Sequence, residues 1–207
     1  MSNRLRHAII VGHPTRDSFT MSIAERYAER VRSLGHEAQL RDLYRMEFDP
    51  VLKEEERRGK TARDVVEEWK CIQNTDVLVL VYPIWFGGPP AMIKGYIDRV
   101  FGAGRTRGAA SGDAASNKLW GKHLVSLTLS GSSRSWLDEK GVLGSLRNLF
   151  ERYLCEVFGL PEAHSFHFDG IAPDLPERDY RFHLAEVDNA ADTVLARIGH
   201  EWQVRPE

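Results

Sequence analysis

Cysteine is scarce in this chain. Only Cys71 and Cys155 occur among 207 residues. Their separation resembles no metal or redox motif, and both fall in helical patterns, so reduced, mostly buried thiols are expected. No apolar run is long enough for a membrane span. Residues 1–6 are short and basic, and the apolar run behind them reads as a strand, not a signal peptide. A cytoplasmic protein without membrane insertion is the expectation. Charge of one sign is also lacking. A net charge of −2 gives no electrostatic reason to expect nucleic acid. A Gly-x-x-x-x-Gly-Lys phosphate loop is missing, which excludes a P-loop. So is Gly-x-Gly-x-x-Gly, which argues against a Rossmann dinucleotide site. His164 and His167 share a strand pattern but point to opposite faces, which speaks against metal hydrolysis.

What the chain does have is alternation. Apolar runs at 5–11, 76–82 and 122–129 read as strands one, three and four. Weaker patterns at 37–43 and 163–168 read as strands two and five. Helical spacing covers 19–34, 61–74 with Thr61 as N-cap, 91–101, 143–158 and 178–198. Residues 44–60 read as a long connection whose charge run, Lys53 to Lys60, is a solvated surface. Residues 102–117 read as a mobile excursion rich in Gly, Ala and Ser, carrying Arg105 and Arg107. At 42% hydrophobic content, 1–207 fits a single α/β domain that needs no disulfide. The pattern predicts a doubly wound three-layer sandwich around a five-stranded parallel sheet of order 2-1-3-4-5. Such a sheet binds its ligand beyond the carboxyl ends of its strands, at the switch point.

Three turns meet there. Gly12-His13-Pro14-Thr15-Arg16-Asp17-Ser18-Phe19-Thr20 runs into a helix start, where free N–H groups and the dipole attract an anion. Its alternative is plain capping by Asp17 or Ser18. Tyr82-Pro83-Ile84-Trp85-Phe86-Gly87-Gly88-Pro89-Pro90 sets two large aromatics where turns normally carry small polar residues. These rings either flank a flat cofactor or pack against a neighbour. Ser130-Gly131-Ser132-Ser133 lets backbone approach a ligand closely, or is a plain loop.

These residues resemble the flavodoxin-like NAD(P)H:quinone oxidoreductases, the DT-diaphorase type and its shorter bacterial relatives. The likeness rests on His13-Pro14 through Ser18-Phe19, on Asp42-Leu43-Tyr44 with Phe48-Asp49-Pro50-Val51, on Pro83 through Phe101, and on Thr128 to Ser133. The resemblance implies a bound flavin and a homodimer with sites at its interface. It also implies ping-pong transfer of two electrons from NAD(P)H to a quinone or similar acceptor. By position, His13, Ser18, Phe19 and Thr20 would hold the phosphate. Pro83, Ile84, Trp85, Phe86 and Gly87 would hold the ring, with backbone N–H groups near Trp85 and Phe86 meeting its edge. Ser130, Gly131 and Ser132 would approach the pyrimidine. FMN is expected over FAD, because residues 169–207 read as one loop and one helix with no extension to cover an adenosine.

Departures from the pattern are Thr20 for a common Asn, Ser130 for a Gly, and no Tyr or His following Ser132, where Trp136 falls near the family's Tyr. No side chain is therefore named as an acid or base. Two other readings remain open: a flavin-binding accessory subunit docking on a potassium-efflux system, and an electron-carrier flavodoxin. Flavodoxins are usually far more acidic than this chain.

Overall fold

Buried strands of alternating side chains need cover on both faces, and this chain supplies helices for each. The computed structural model describes residues 4–102 and 119–204. The 102–117 excursion, with Arg105 and Arg107, therefore falls outside the described residues, apart from Gly102. Strands β1 (Arg6–Val11), β2 (Glu37–Asp42), β3 (Val77–Pro83), β4 (His123–Leu129) and β5 (Ala163–Phe168) form one sheet of order β2-β1-β3-β4-β5. Every neighbouring pair is parallel. This is the expected flavodoxin-like sandwich. Residues of one parity, Ile9, Val11, Val79, Val81, Val125 and Leu127, pack against α1 (Phe19–Ser33) and the C-terminal helix (Glu177–Val204). The other parity, Ala8, Ile10, Leu78, Leu80 and Leu124, packs against the helices of the opposite layer.

That second layer departs from the sequence pattern in several places. The 44–60 connection contains a short helix, α2 (Glu54–Arg57). The next helix, α3, spans Arg63–Gln73 with Ala62 rather than Thr61 at its N-cap. Helix α4 (Ala91–Tyr96) widens into a π-helical turn at Ile97–Phe101. The turn after β4 closes early, because the Ser133 hydroxyl caps α5 (Arg134–Glu139) by accepting from the Trp136 N–H. Helix α6 begins at Val142–Leu146, widens at Arg147–Arg152 and ends as Tyr153–Phe158. The C-terminal helix is α7. It is fixed to α1 by two-pronged ion pairs, Arg26 with Asp188 and Arg30 with Asp192.

The charge run is not uniformly solvated. Glu56 turns inward, its side chain only 8% exposed, and pairs with a fully buried Arg99 from the end of α4. Arg99 also bonds Asp64 of α3 and the Asp49 carbonyl. A guanidinium enclosed among helices needs all its donors met, and the acidic end of the connection meets them.

Candidate active site

Three turns leave the sheet together at its carboxyl edge. Gly12 N–H donates to the Val81 carbonyl at 3.0 Å, Ile84 N–H to Leu129 at 2.7 Å, and Ser130 N–H to Phe168 at 3.0 Å. The turns following β1, β3 and β4 thus start from one hydrogen-bonded row. Gly12 carries a packing requirement: a Cβ there would lie 2.4 Å from Ile93 Cγ1 of α4. Only a glycine lets the helix of the second turn press against the first.

In the first turn, Ser18 is the N-cap of α1, and its hydroxyl accepts from Met21 N–H at 3.3 Å. The capping alternative is therefore realised, but it does not exhaust the helix end. The N–H groups of Phe19 and Thr20 have no acceptor among the described residues, and both lie at the positive end of a 15-residue helix. The Phe19 ring faces away, packing on Tyr180 and His183 of α7 at centroid distances of 5.1 and 5.8 Å. The Thr20 side chain is buried. Both residues therefore offer backbone donors. His13 Nδ1 accepts from Thr15 N–H at 3.1 Å. Arg45, from the segment after β2, reaches across to the Pro14 carbonyl at 2.9 Å. It brings a positive charge that sequence reading did not assign to this turn.

In the second turn, Trp85 and Gly88 bond each other twice, N–H to carbonyl in both directions, at 2.9 and 3.1 Å. The two residues between them lie at positive φ, Phe86 at 51° and Gly87 at 83°. That is the geometry of a tight primed turn, in which glycine is comfortable and a phenylalanine is strained. Phe86 is fully exposed and Trp85 is 41% exposed. The Trp85 N–H is committed to the turn itself. The Phe86 and Gly87 N–H groups have no partner among the described residues. The His13 ring lies 6.0 Å from Trp85, tilted by 59°, so the first two turns touch. Pro83 and Ile84 are half-buried and extend β3 against β4.

In the third turn, Ser130 is buried while Gly131 and Ser132 are exposed. The N–H groups of Gly131, Ser132 and Ser133 have no acceptor among the described residues. The Ser130 hydroxyl points inward, donating to the Ser132 carbonyl at 2.7 Å and lying 3.0 Å from His167 Nε2. His167 Nδ1 lies 2.9 Å from the Thr128 hydroxyl. Burial lowers the His167 pKa below its ordinary value; Asp169 and Asp138 pull it up and Arg134 pulls it down. Sequence reading weighed His167 only as a metal ligand. The signal for its place was the alternation of Ser126 and Thr128 on one face of β4, continued by Ser130 just past the strand, opposite Ser165 and His167 of β5. Among the described residues no cluster suits a metal ion.

The three turns that carry the sequence-predicted residues therefore share one edge of the sheet, and the first two are in ring contact. That edge offers an anion-attracting helix end, a platform of exposed rings and two sets of free backbone donors. A planar, heteroatom-edged cofactor with a phosphate tail matches that donor set.

The fold and site define an open α/β flavodoxin-type protein. A profile of the family described as flavodoxin-like fold matches residues 6–191, and the chain belongs to that family. It stands with a curated relative named as an uncharacterized NAD(P)H oxidoreductase from Haemophilus influenzae. That protein is 31% identical over 94% of this chain and 96% of its own. A solved NAD(P)H:quinone oxidoreductase from Methanothermobacter marburgensis superposes with a TM-score of 0.75, at 24% identity over 91% of this chain and 98% of its own. An FMN-dependent NADH-azoreductase from Bacillus anthracis, solved with FMN, superposes with a TM-score of 0.67, at 15% identity over 92% and 99%. Among the described residues no helix is long and apolar enough to cross a membrane.

Proposed function

We propose that this chain is an FMN-dependent NAD(P)H oxidoreductase that transfers two electrons by a ping-pong hydride mechanism to a quinone or similar acceptor. The observation that carries the reading is the Trp85–Gly88 turn. A fully exposed phenylalanine in a left-handed conformation has no packing to justify it. Such strain marks sites where geometry serves a ligand. The names of the relatives point the same way.

In this reading the flavin supplies hydride chemistry, and the protein supplies position and electrostatics. The Phe19 and Thr20 N–H groups, with Ser18 and His13 beside them, hold the phosphate at the α1 start. Trp85 and Phe86 flank the ring, and the Phe86 and Gly87 N–H groups donate to its edge. Gly131, Ser132 and Ser133 donate at the pyrimidine side. Nicotinamide and acceptor would reach the same bound ring in turn, which is the ping-pong order of this reading. The choice of FMN over FAD belongs to this reading and is supported by the solved azoreductase neighbour, which is named as FMN-dependent. A homodimer with sites at its interface belongs to the same reading.

An absorption spectrum of the purified protein, reconstituted with FMN and titrated with NADH or NADPH, tests this directly. Flavin bands that bleach under NAD(P)H are expected. Absence of bound flavin after reconstitution removes the proposal, and bound flavin that NAD(P)H leaves oxidised favours an electron carrier or docking subunit. The double variant Trp85→Ala, Phe86→Ala should weaken FMN binding at least tenfold, read by quenching of flavin fluorescence.

A further inference from the structure

The chain leaving β5 grips the third turn. Ile171 N–H donates to the Ser130 carbonyl at 2.9 Å, and Gly170 N–H to the Ser132 carbonyl at 3.4 Å. The Ser130 hydroxyl shares that second carbonyl at 2.7 Å. The approach is close: a Cβ on Gly131 would lie 3.3 Å from the Ile171 carbonyl. One side chain completes the grip. Half-buried Asp169 accepts, through Oδ2, from Arg134 N–H at 2.7 Å, the length of a charge-assisted bond. Across the same peptide unit, the Ser133 carbonyl accepts from Leu137 N–H of α5 at 3.1 Å. The unit that ends the turn is therefore bonded on both sides.

Peptide geometry turns these bonds into an aim. In a trans unit the carbonyl of one residue and the N–H of the next point in opposite directions. The Ser130 carbonyl is held towards Ile171, so Gly131 N–H points away from it. The Ser132 carbonyl is held towards Gly170, so Ser133 N–H points away from that residue. Both N–H groups lack an acceptor among the described residues. Asp169 supplies the clamp from outside the turn that a side-chain substitution can remove. Without it Arg134 N–H loses its acceptor, and the Ser133 end of the turn is held by α5 alone.

We infer that Asp169 is a positioning residue for the flavin site: its carboxylate, through Arg134 N–H, locks the third turn with Gly131 and Ser133 N–H presented to the pyrimidine side of the ring. The inference rests on the proposed flavin site and extends it to a residue that acts through the backbone of the turn. Simple capping of α5 is a different role, and Ser133 already fills it through its hydroxyl. The two roles predict different behaviour. A cap steadies the helix and leaves ring affinity alone. A lock on the third turn sets affinity for any isoalloxazine, with or without a phosphate, because the phosphate belongs to the first turn.

The test titrates native protein and two variants with FMN and with riboflavin, read by flavin fluorescence. Asp169→Ala should weaken both ligands by the same factor, about tenfold, as expected for one well-aimed hydrogen bond. Asp169→Asn keeps an acceptor oxygen and should restore both to within about threefold of native. Affinities that Asp169→Ala leaves unchanged overturn the inference. So does a loss confined to FMN, which would place the effect at the phosphate, and so does an Asn variant as weak as the Ala one. Amide exchange of the native protein needs no variant. Without flavin, Arg134 N–H should be protected and the Gly131 and Ser133 N–H groups should not; FMN should protect the latter two. An Arg134 N–H that exchanges as fast as theirs also overturns the inference. Any of these results, with FMN bound to native protein and bleached by NAD(P)H, leaves the proposed function standing; native protein that binds no FMN removes both.

Discussion

His7 shows what a single buried ring costs this molecule. It lies on β1, is 1% exposed, and stacks at tilted angles on Tyr27 and His36. Its Nδ1 lies 3.3 Å from the Tyr27 hydroxyl, and its Nε2 has no partner among the described residues. Burial, with His36 and then His123 adding to it, pushes its pKa down to about 3. The folded value is below the unfolded one, so the unfolded chain binds more protons between them. The stability held by the neutral ring is complete above about pH 6.5 and is lost as pH falls towards 3. At pH 5 the loss is about 2 kcal/mol. Urea unfolding at pH 7 and pH 5 should show this drop in the native protein. In His7→Phe the drop should be smaller by about that amount. Equal drops would place the acid sensitivity elsewhere.

At the scale of elements, two features were hidden in the sequence for different reasons. The Trp85–Phe86 turn was legible as unusual because its residue types contradict turn chemistry, but its strain was not, since positive φ at Phe86 is a property of closure between Trp85 and Gly88. Phe86→Gly should therefore raise stability by about 0.5–1 kcal/mol, the left-handed cost less the glycine entropy. The same variant should weaken FMN binding. A melting temperature and an affinity that both fall would show that the ring packs for stability instead.

The Lys53–Lys60 run was unreadable in the opposite way. Balanced charges on a surface and one carboxylate turned in to meet Arg99 look identical in sequence. Only the packing of α4 against α2 and α3 separates them. Arg99→Ala leaves Glu56 buried and unpaired, and should cost about 3–5 kcal/mol. A urea midpoint that barely moves would mean that the connection swings out and Glu56 finds water.

For the molecule as a whole, the sheet order and the meeting of three turns followed from alternation and the switch-point rule. The place of His167 did not, because it depends on β4–β5 register, which fixes who faces Thr128 and Ser130. The site itself exists only in the folded sheet. Its donors come from the first, third and fourth strand ends, separated by more than a hundred residues between Phe19 and Ser130. The unfolded chain gathers none of them, so FMN should bind the native state alone and stabilise it by mass action. At a hundredfold excess over its dissociation constant the gain is about 2.7 kcal/mol. For a chain of this size that is a rise in melting temperature of about 5–10 °C. At the same FMN concentration the Trp85→Ala, Phe86→Ala protein, bound at least tenfold more weakly, should lose about half of that rise or more. A native melting temperature indifferent to FMN would mean that the three turns, although brought together by the sheet, do not form a single site.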